Sequence, residues 1–215
     1  KIAGLKRLIT QLKPKAVSID NWYKRIKHCD KMKHLDLFSG IGGFALAIDR
    51  VFPNIEHTFC EIDPFCQEVL KKHWPNSKIY EDIRIIKNTI EFRRNYREQE
   101  EQGNIGNKRN FGTGDDAGIY ILTGGFPCQP FSQAGRRKGT DDNRFLWPEM
   151  LRVIQEFSPL WVIAENVRGL LTIQQGVVFQ QVCLDLEDAG YEVQPLIIPA
   201  VAVNAPHRRD RIWIV

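Results

Sequence analysis

The feature that most constrains this fold is an alternation of short apolar runs with longer segments of helical period, from Leu35 to the end of the chain. Apolar runs bounded by turn residues are typical of buried strands, and their alternation with helices predicts βα units around a mostly parallel sheet. The predicted strands are Leu35–Phe38, Ile55–Glu61, Lys78–Tyr80, Ile119–Thr123, Leu160–Glu165, Glu192–Pro199 and Arg211–Val215. The predicted helices are Gly43–Val51, Pro64–His73, Phe145–Phe157 and Gly176–Ala189.

The last two predicted strands break this pattern. Their connection, Ala200–Asp210, contains Pro206, has no helical period and is short for a crossover between parallel strands. We therefore expect these two strands to pair antiparallel. The predicted fold is a Rossmann-like α/β sheet, mostly parallel with a terminal antiparallel strand, which departs from the plain dinucleotide-binding fold.

Composition narrows the class of protein. The chain has 215 residues, a formal net charge of +4, 43% hydrophobic residues and a mean hydropathy of −0.32, which are typical of a soluble globular domain. No apolar run approaches the ~18 residues of a membrane-spanning helix, so we expect no membrane partner. The cysteines form no CxxC pair, so we expect no disulfide framework, no metal site and a location in the reducing cytoplasm. They are Cys29, Cys60, Cys66, Cys128 and Cys183.

Two segments lie outside the alternation. Residues 1–33 are rich in lysine and carry leucines at helical spacing, which predicts an N-terminal helical leader before a main domain at 34–215. Between Lys87 and Gly118 charges of both signs give way to Gly, Asn and Asp, which predicts an exposed helix followed by a long surface loop.

A glycine-rich phrase, Leu35–Asp49, joins the first predicted strand to the first predicted helix. Gly40, Gly42 and Ala45 satisfy the G-x-G-x-x-G/A turn of adenosine-cofactor sites. Glu61 follows Gly40 by 21 residues, close to where an acidic residue binds ribose hydroxyls. The phrase fits a nicotinamide dinucleotide as well as any other adenosine cofactor, and a purely structural turn is the alternative.

The second motif, Gly124–Gly135, directly follows a predicted strand. Two prolines flank Cys128 on a stiff loop at the carboxyl end of that strand, where open α/β sheets bind their ligands. This placement indicates a site thiol, with a half-buried structural cysteine as the alternative. A cysteine protease would need a histidine base, for which only His207 is plausible, and no protease signature surrounds it.

Two further motifs carry charge near the last strands. Glu165 follows an apolar strand and is either a cap of the next helix or a carboxylate facing the same crevice as Cys128, and its position favours the crevice. Arg208, Arg209 and Arg211 precede the final strand. Three arginines there are typical of a solvated edge, but the loop before them can approach the crevice.

Together these motifs resemble the cytosine-C5 DNA methyltransferases. DLFSGIGG, Glu61, Asp82-Ile83, GGFPCQPFS, ENV and RRDR occur in the order of that family, between Leu35 and Val215. The resemblance implies the S-adenosylmethionine-dependent methyltransferase fold and S-adenosylmethionine as cofactor. The cofactor contacts it implies are Phe38, Ser39, Gly40, Ile41, Gly42, Gly43, Glu61, Ile62, Asp82, Ile83 and Leu146. Among these, Glu61 would bind the ribose hydroxyls, while Asp82 and Ile83 would meet the adenine edge.

The resemblance also implies a reaction. Cytosine C5 is a weak nucleophile, so a thiolate, here Cys128, first adds to C6. Glu165 would donate a proton at N3, Arg209 would hold the base O2 and the glutamate, and Arg211 would support the pocket. The base has to be flipped out of the duplex, and a basic loop at 129–143 would close on the DNA. The DNA contacts implied there are Gln129, Ser132, Arg136, Arg137 and Lys138.

The sequence departs from the family after RRDR, where members continue into a target-recognition region and a final conserved helix. We therefore expect either a complementing C-terminal chain or a cofactor-binding fragment that is inactive without one. The expected function is methylation of cytosine in double-stranded DNA, for restriction–modification or phage DNA protection. An RNA cytosine methyltransferase acting on tRNA carries the same motifs and is the alternative.

Overall fold

The alternating segments fold into one seven-stranded sheet in the computed structural model, which describes residues 32–87, 119–128 and 145–215. The strands are β1 Lys33–Leu37, β2 Glu56–Cys60, β3 Lys78–Tyr80, β4 Ile119–Gly124, β5 Trp161–Val167, β6 Pro195–Pro199 and β7 Asp210–Ile214. The helices are α1 Gly43–Asp49, α2 Pro64–His73, α3 Trp147–Phe157 and α4 Val177–Asp188. The bounds predicted for β3 and α2 are confirmed to the residue, and the others differ by at most three residues at either end. The helical leader, apart from its last two residues, and the helix and loop predicted between Lys87 and Gly118 lie outside the described residues.

Local interactions explain where the helices begin. Asp63 caps α2, because its carboxylate accepts hydrogen bonds from the amides of Phe65 at 2.8 Å and Cys66 at 3.3 Å. The prediction that α3 begins at Phe145 is wrong by two residues. Phe145 instead forms an antiparallel bridge with Cys128, so its backbone is extended and the helix begins at Trp147.

The strand order β3-β2-β1-β4-β5-β7-β6 places β1 at the point where the chain changes its direction of winding. β1 pairs in parallel with β2 on one side and with β4 on the other. Open α/β sheets bind ligands beyond the carboxyl ends of the strands at such a point. β7 is antiparallel to both β5 and β6, which confirms the predicted antiparallel strand pair.

Both faces of the sheet are buried by helices. Leu37 of β1 packs in one core cluster with Met150 of α3, and Phe59 of β2 packs in a second cluster with Leu70 of α2. All four side chains are fully buried. Burying such a side chain contributes about 1.5–3 kcal/mol, so these layers hold the strand ends in place beneath the functional loops.

A chain of buried polar side chains runs from the middle of the sheet to α1, and we call it the polar chain. Asp36 Oδ1 lies 2.5 Å from Thr123 Oγ1, which lies 2.8 Å from His34 Nε2. His34 Nδ1 lies 2.8 Å from His57 Nδ1, and His57 Nε2 lies 2.8 Å from Asp49 Oδ1. Burial raises the pKa of Asp36 to about 8 and lowers that of His34 to about 3. At neutral pH the fold therefore favours a protonated Asp36 and a neutral His34.

Candidate active site

The turn after β1 carries the glycine-rich motif. Phe38, Gly40 and Gly42 have positive φ angles of 55°, 53° and 87°, so the chain reverses tightly between β1 and α1. Space also requires glycine at position 42, because a Cβ atom there would overlap the indole ring of Trp74 at the end of α2. The turn is therefore held between the strand end and α2 with no room for a side chain at its second glycine.

Glu61, at the end of β2, is anchored by this turn. Its Oε2 accepts a hydrogen bond from the Gly40 amide at 2.6 Å, and its Oε1 accepts one from the Asp63 amide at 2.8 Å. Each carboxylate oxygen has two lone pairs, so the carboxylate keeps acceptor capacity for a ligand. Ser39 ties the turn to β2, because its amide donates to the Cys60 carbonyl at 3.0 Å.

A cavity of about 260 Å³ opens beside Glu61. This volume is slightly below the ~300–1,000 Å³ of most small-molecule sites. Its lining combines apolar side chains with carboxylates, the chemistry that an adenine ring and ribose hydroxyls require. Six of the eleven predicted cofactor residues line it: Phe38, Glu61, Ile62, Asp82, Ile83 and Leu146.

The other five predicted cofactor residues form the adjoining turn rather than the cavity lining. They are Ser39, Gly40, Ile41, Gly42 and Gly43. Four further lining residues were not predicted, and each of them directly neighbours a predicted residue in the sequence or precedes Cys128. They are Cys60, Glu81, Arg84 and Pro127.

Cys128 lies on the loop after β4, and its thiol is held by Asn166 of β5. The Cys128 Sγ donates a hydrogen bond to Asn166 Oδ1 at 2.8 Å. The Asn166 amide is itself fixed, because its Nδ2 donates to the Phe126 carbonyl at 2.9 Å and its Oδ1 accepts from the Val167 amide at 2.8 Å. Burial raises the pKa of Cys128, hydrogen bonds offset part of that rise, and the charge of Glu165 adds to it. The resting group is therefore a thiol in a fixed position.

Glu165 lies inside β5, which continues to Val167, so the predicted strand end at Glu165 is two residues short. The interpretation of Glu165 as a helix cap is wrong, because Val167 is the N-cap of the following 3₁₀ turn, Arg168–Leu171. The antiparallel pairing of β7 with β5 extends the strand, since Arg211 lies opposite Val167.

The Glu165 carboxylate pairs with Arg211, whose Nε lies 2.7 Å from Oε1. Arg211 reaches it diagonally across the β5–β7 pair, from the position opposite Val167. Burial raises the pKa of Glu165, and the positive charges of Arg211 and Arg209 oppose that rise without cancelling it. The site thus favours a carboxyl group that takes up a proton more readily than an exposed glutamate.

Arg209 differs from Arg211 in its surroundings. It has a positive φ of 32° and an exposed side chain, and it acts on Glu165 through its charge. Its neighbour Arg208 pairs instead with Asp210 at 3.1 Å, as does Arg168 at 3.0 Å. A cluster of arginines therefore borders the Glu165 edge of the sheet.

The fold brings the predicted catalytic motifs to one edge of the sheet. Gly124 of β4 lies beside Ala164 of β5, so the loop that carries Cys128 starts next to Glu165. A Cβ atom added to Gly125 would lie 3.4 Å from Glu165 Oε2, so the Glu165 carboxylate lies directly beside this loop. The arrangement brings a thiol, a carboxyl and two guanidinium groups to one edge of the sheet, and Pro127, the neighbour of Cys128, lines the cavity.

Some predicted site residues cannot be placed in this edge. The DNA contacts predicted at Gln129, Ser132, Arg136, Arg137 and Lys138 lie outside the described residues. Conversely, the sequence analysis quoted Asn166 only as part of the ENV motif and gave it no role. The sequence signal for Asn166 was a polar residue next to Glu165, directly after the predicted strand that borders the Cys128 loop.

The described ranges contain neither a metal-ligand cluster nor a membrane-spanning helix. Within residues 32–87, 119–128 and 145–215, no three His, Cys, Asp or Glu side chains are grouped so as to hold a metal ion. None of the helices in these ranges has the length and apolar character needed to cross a membrane.

Comparison with known sequences agrees with the motifs. Residues 32–215 match the family described as C-5 cytosine-specific DNA methylase. Among curated relatives, the Type II methyltransferase M.BanI of Aneurinibacillus aneurinilyticus is 33% identical over 187 residues, which are 86% of this chain and 38% of the relative. The Type II methyltransferase M1.ScrFI of Lactococcus lactis subsp. cremoris is also 33% identical, over 86% of this chain and 41% of the relative. The chain thus spans about two fifths of the length of these relatives.

Solved structures share the fold. A protein described as a DNA modification methyltransferase encoded within an E. coli prophage superposes with a TM-score of 0.62 at 24% identity, covering 85% of this chain and 45% of that one. A mutant of Spodoptera frugiperda DNMT2 superposes with a TM-score of 0.60 at 19% identity, covering 85% of this chain and 49% of that one. The fold is that of the S-adenosylmethionine-dependent methyltransferases, as predicted.

Proposed function

This chain belongs to the C-5 cytosine-specific DNA methylase family, and we propose that the protein transfers a methyl group from S-adenosylmethionine to C5 of cytosine in double-stranded DNA. The observation that carries the proposal is that Cys128 and Glu165 lie at one edge of the sheet, where Pro127, the neighbour of Cys128, lines the same cavity as Glu61. The relatives named as Type II methyltransferases favour a role in restriction–modification.

The residues around the cavity fit the proposed cofactor. Glu61 keeps free lone pairs although the Gly40 and Asp63 amides anchor it, and a ribose offers two hydroxyl donors. Phe38 and Ile62 supply apolar surface for an adenine ring, and Asp82 an acceptor for its edge. When bound, S-adenosylmethionine supplies an electrophilic methyl group on a sulfonium.

Cys128 supplies the nucleophile in this proposal. Its proton leaves to solvent, and the thiolate electron pair forms a bond from Sγ to C6 of the flipped cytosine, which places electron density on C5. After C5 has been methylated, the C5 proton leaves to solvent, N3 returns its proton to Glu165, and cleavage of the Sγ–C6 bond restores the aromatic ring and the thiolate. Asn166 sets the direction of Sγ before the attack through its 2.8 Å contact.

Glu165 neutralises the negative charge that this attack creates on the cytosine ring. As C6 is attacked, negative charge develops at N3, and a carboxyl whose pKa is raised by burial can donate a proton there. Arg211 holds the carboxyl in place and keeps its orientation fixed. The arginines 209 and 211 also leave the site positively charged, which favours an approaching nucleic-acid strand.

The coverage of the relatives supports a second candidate. Because the chain spans about two fifths of their length, these residues form a cofactor-binding part that needs a target-recognition region, in cis or in trans, for turnover. Both candidates bind the cofactor, and they differ in whether the chain transfers a methyl group on its own.

Cofactor binding is the first test. Titration calorimetry with S-adenosylhomocysteine should show binding, whereas NAD should not bind. Glu61→Ala should weaken the binding of S-adenosylhomocysteine by about 1.5–3 kcal/mol, the loss expected for hydrogen bonds to a charged group. Unchanged affinity would remove Glu61 from the site.

Methyl transfer is the second test. Radiolabelled S-adenosylmethionine is incubated with mixed-sequence duplex DNA and separately with tRNA, with and without a complementing C-terminal chain. We expect label in DNA when the recognition region is supplied. Label in tRNA and not in DNA would replace the proposed substrate with RNA.

A further inference from the structure

Helix α3 borders the proposed cofactor cavity at its N-cap, and it also contacts the backbone of a second segment that lines the cavity. Its N-cap, Leu146, lines the cavity, and the Leu146 amide donates to the carbonyl of Pro127, another lining residue, at 3.4 Å. Arg152 follows six residues later, about 9 Å along the helix at ~1.5 Å per residue. The helix therefore begins at the side of the cavity that Leu146 lines. Further along, it reaches residues 82–84, which line another side, from the face that points away from the cavity.

Arg152 binds the outside of this second wall with both ends of its guanidinium group. Its Nη2 donates to the Ile83 carbonyl at 2.8 Å, and its Nη1 donates to the Ile86 carbonyl at 2.9 Å. These carbonyls flank the 3₁₀ turn Ile83–Ile85, in which the Ile86 amide also donates to the Ile83 carbonyl at 3.2 Å. A single side chain thus spans the whole turn.

Two carboxylates on the same helix fix the direction of the guanidinium. Glu149 Oε2 accepts from Arg152 Nε at 2.9 Å, and Glu156 Oε1 accepts from Nη1 at 2.8 Å. Charge-assisted bonds of this kind hold the planar group in one orientation, which a flexible ammonium group does not match. The guanidinium is therefore pre-oriented toward the turn.

The other hydrogen bonds of the turn come from within it: the Arg84 guanidinium pairs with Asp82 Oδ2 at 3.2 Å, and the Ile85 amide donates to the Asp82 carbonyl at 3.2 Å. Asp82 caps it from within the chain, by accepting from the Arg84 amide at 2.9 Å. Ile83 and Ile86 are buried and pack in the core cluster that contains α3. Apolar packing is non-directional, so it leaves the carbonyl orientation, and with it the position of the Asp82 carboxyl, to hydrogen bonds.

We infer that Arg152 is a positioning residue for the cofactor: it clamps the Ile83 and Ile86 carbonyls and so fixes the wall that carries Asp82 and Ile83 at a set distance from Leu146. The inference rests on the proposed function, because it takes this cavity to hold the adenosine half of S-adenosylmethionine. Arg152 itself touches no ligand in this account and acts only through the turn.

The test compares two substitutions of Arg152 in the full chain. Arg152→Gln keeps a good helix former but removes the clamp, and Arg152→Lys keeps the positive charge beside Glu149 and Glu156 but cannot bridge two carbonyls. Gln155→Ala, an exposed position of the same helix, is the matched control. Affinity for S-adenosylhomocysteine and for 5′-methylthioadenosine is measured by calorimetry, and the melting temperature is measured without ligand.

We expect both Arg152 variants to bind both ligands about tenfold more weakly and Gln155→Ala to bind them as the wild type does. The similar loss with 5′-methylthioadenosine places the effect at the adenosine half. Wild-type affinity in Arg152→Lys, or in both variants, would overturn the clamp while leaving the cofactor site in place. If the wild type binds neither ligand, the proposed cofactor site fails and the inference fails with it. If Arg152→Gln does not fold, Arg152→Lys decides the question alone.

Discussion

The polar chain makes a quantitative prediction about how stability depends on pH. The Thr123 hydroxyl donates to Asp36 Oδ1 at 2.5 Å, while the other carboxyl oxygen, Oδ2, is buried without a hydrogen-bond partner among the described residues. The fully buried carboxyl therefore has one hydrogen bond to offset the loss of the water around it. Loss of the Asp36 proton leaves a buried negative charge that a single hydroxyl group stabilises.

The magnitude follows from the pKa of Asp36. It is raised from 3.8 to about 8 by burial, and the Thr123 hydrogen bond lowers it only in part. Because the folded state holds the proton more tightly, the stability that Asp36 contributes is complete below pH 3.8 and is lost as the pH rises toward 8. At ~1.4 kcal/mol per pH unit the loss between pH 5 and pH 8 is at most ~4 kcal/mol, and relaxation around the charge reduces it to about 2–4 kcal/mol.

Asp36→Asn tests this reasoning, because its amide has the shape of the protonated acid, its oxygen can accept from Thr123 as Oδ1 does, and it does not titrate. Urea unfolding of both proteins, followed by tryptophan fluorescence at pH 5, 6.5 and 8, should give similar stabilities at pH 5. At pH 8 the variant should be more stable by about 2–4 kcal/mol. Thr123→Val should shift the loss of folding stability to higher pH, because it removes the hydrogen bond that lowers the pKa of Asp36. A difference between wild type and Asp36→Asn that is the same at all three pH values would refute the account.

Two further predictions concern the turn and the acid. Gly42→Ala should destabilise the fold by about 2–5 kcal/mol, because it adds left-handed strain to an overlap with Trp74; urea unfolding measures this, and a loss below ~1 kcal/mol would contradict the close packing. Glu165→Gln in a complemented enzyme should lower turnover about 10²-fold or more while affinity for S-adenosylhomocysteine stays unchanged; equal turnover would remove Glu165 from the chemistry.

Local signals in the sequence were sufficient for the elements and for the edge where the site lies. β3 and α2 have the predicted bounds to the residue, and in the structure Asp63 caps α2 with Pro64 in its first turn. Gly40 and Gly42 likewise predicted a tight turn, because glycine readily adopts the positive φ angles that such a turn requires. Glu165 was placed at the crevice because it follows an apolar run, although its strand runs two residues further than predicted.

Contacts that join distant parts of the chain could not be predicted in this way. Asn166 and Cys128 are 38 residues apart, and Arg152 lies 66 residues from the carbonyl of Ile86. His34 and Thr123, 89 residues apart, meet only because β1 and β4 are neighbours. Strand order decides such pairs, and a single sequence carries no local signal for it.

The central claim is that Cys128 forms a covalent bond to cytosine, and trapping with 5-fluorocytosine tests it most directly. Fluorine at C5 cannot leave as a proton does, so the Sγ–C6 bond should persist and a protein–DNA adduct should appear on a denaturing gel. The assay needs S-adenosylmethionine and a target-recognition region, supplied in cis or in trans. We expect Cys128→Ser to abolish the adduct, because a serine hydroxyl is a far poorer nucleophile, and Cys183→Ser, at a half-buried thiol on α4, to leave it intact. A protein that methylates DNA but forms no adduct through Cys128 would contradict the account and leave this cysteine a structural thiol.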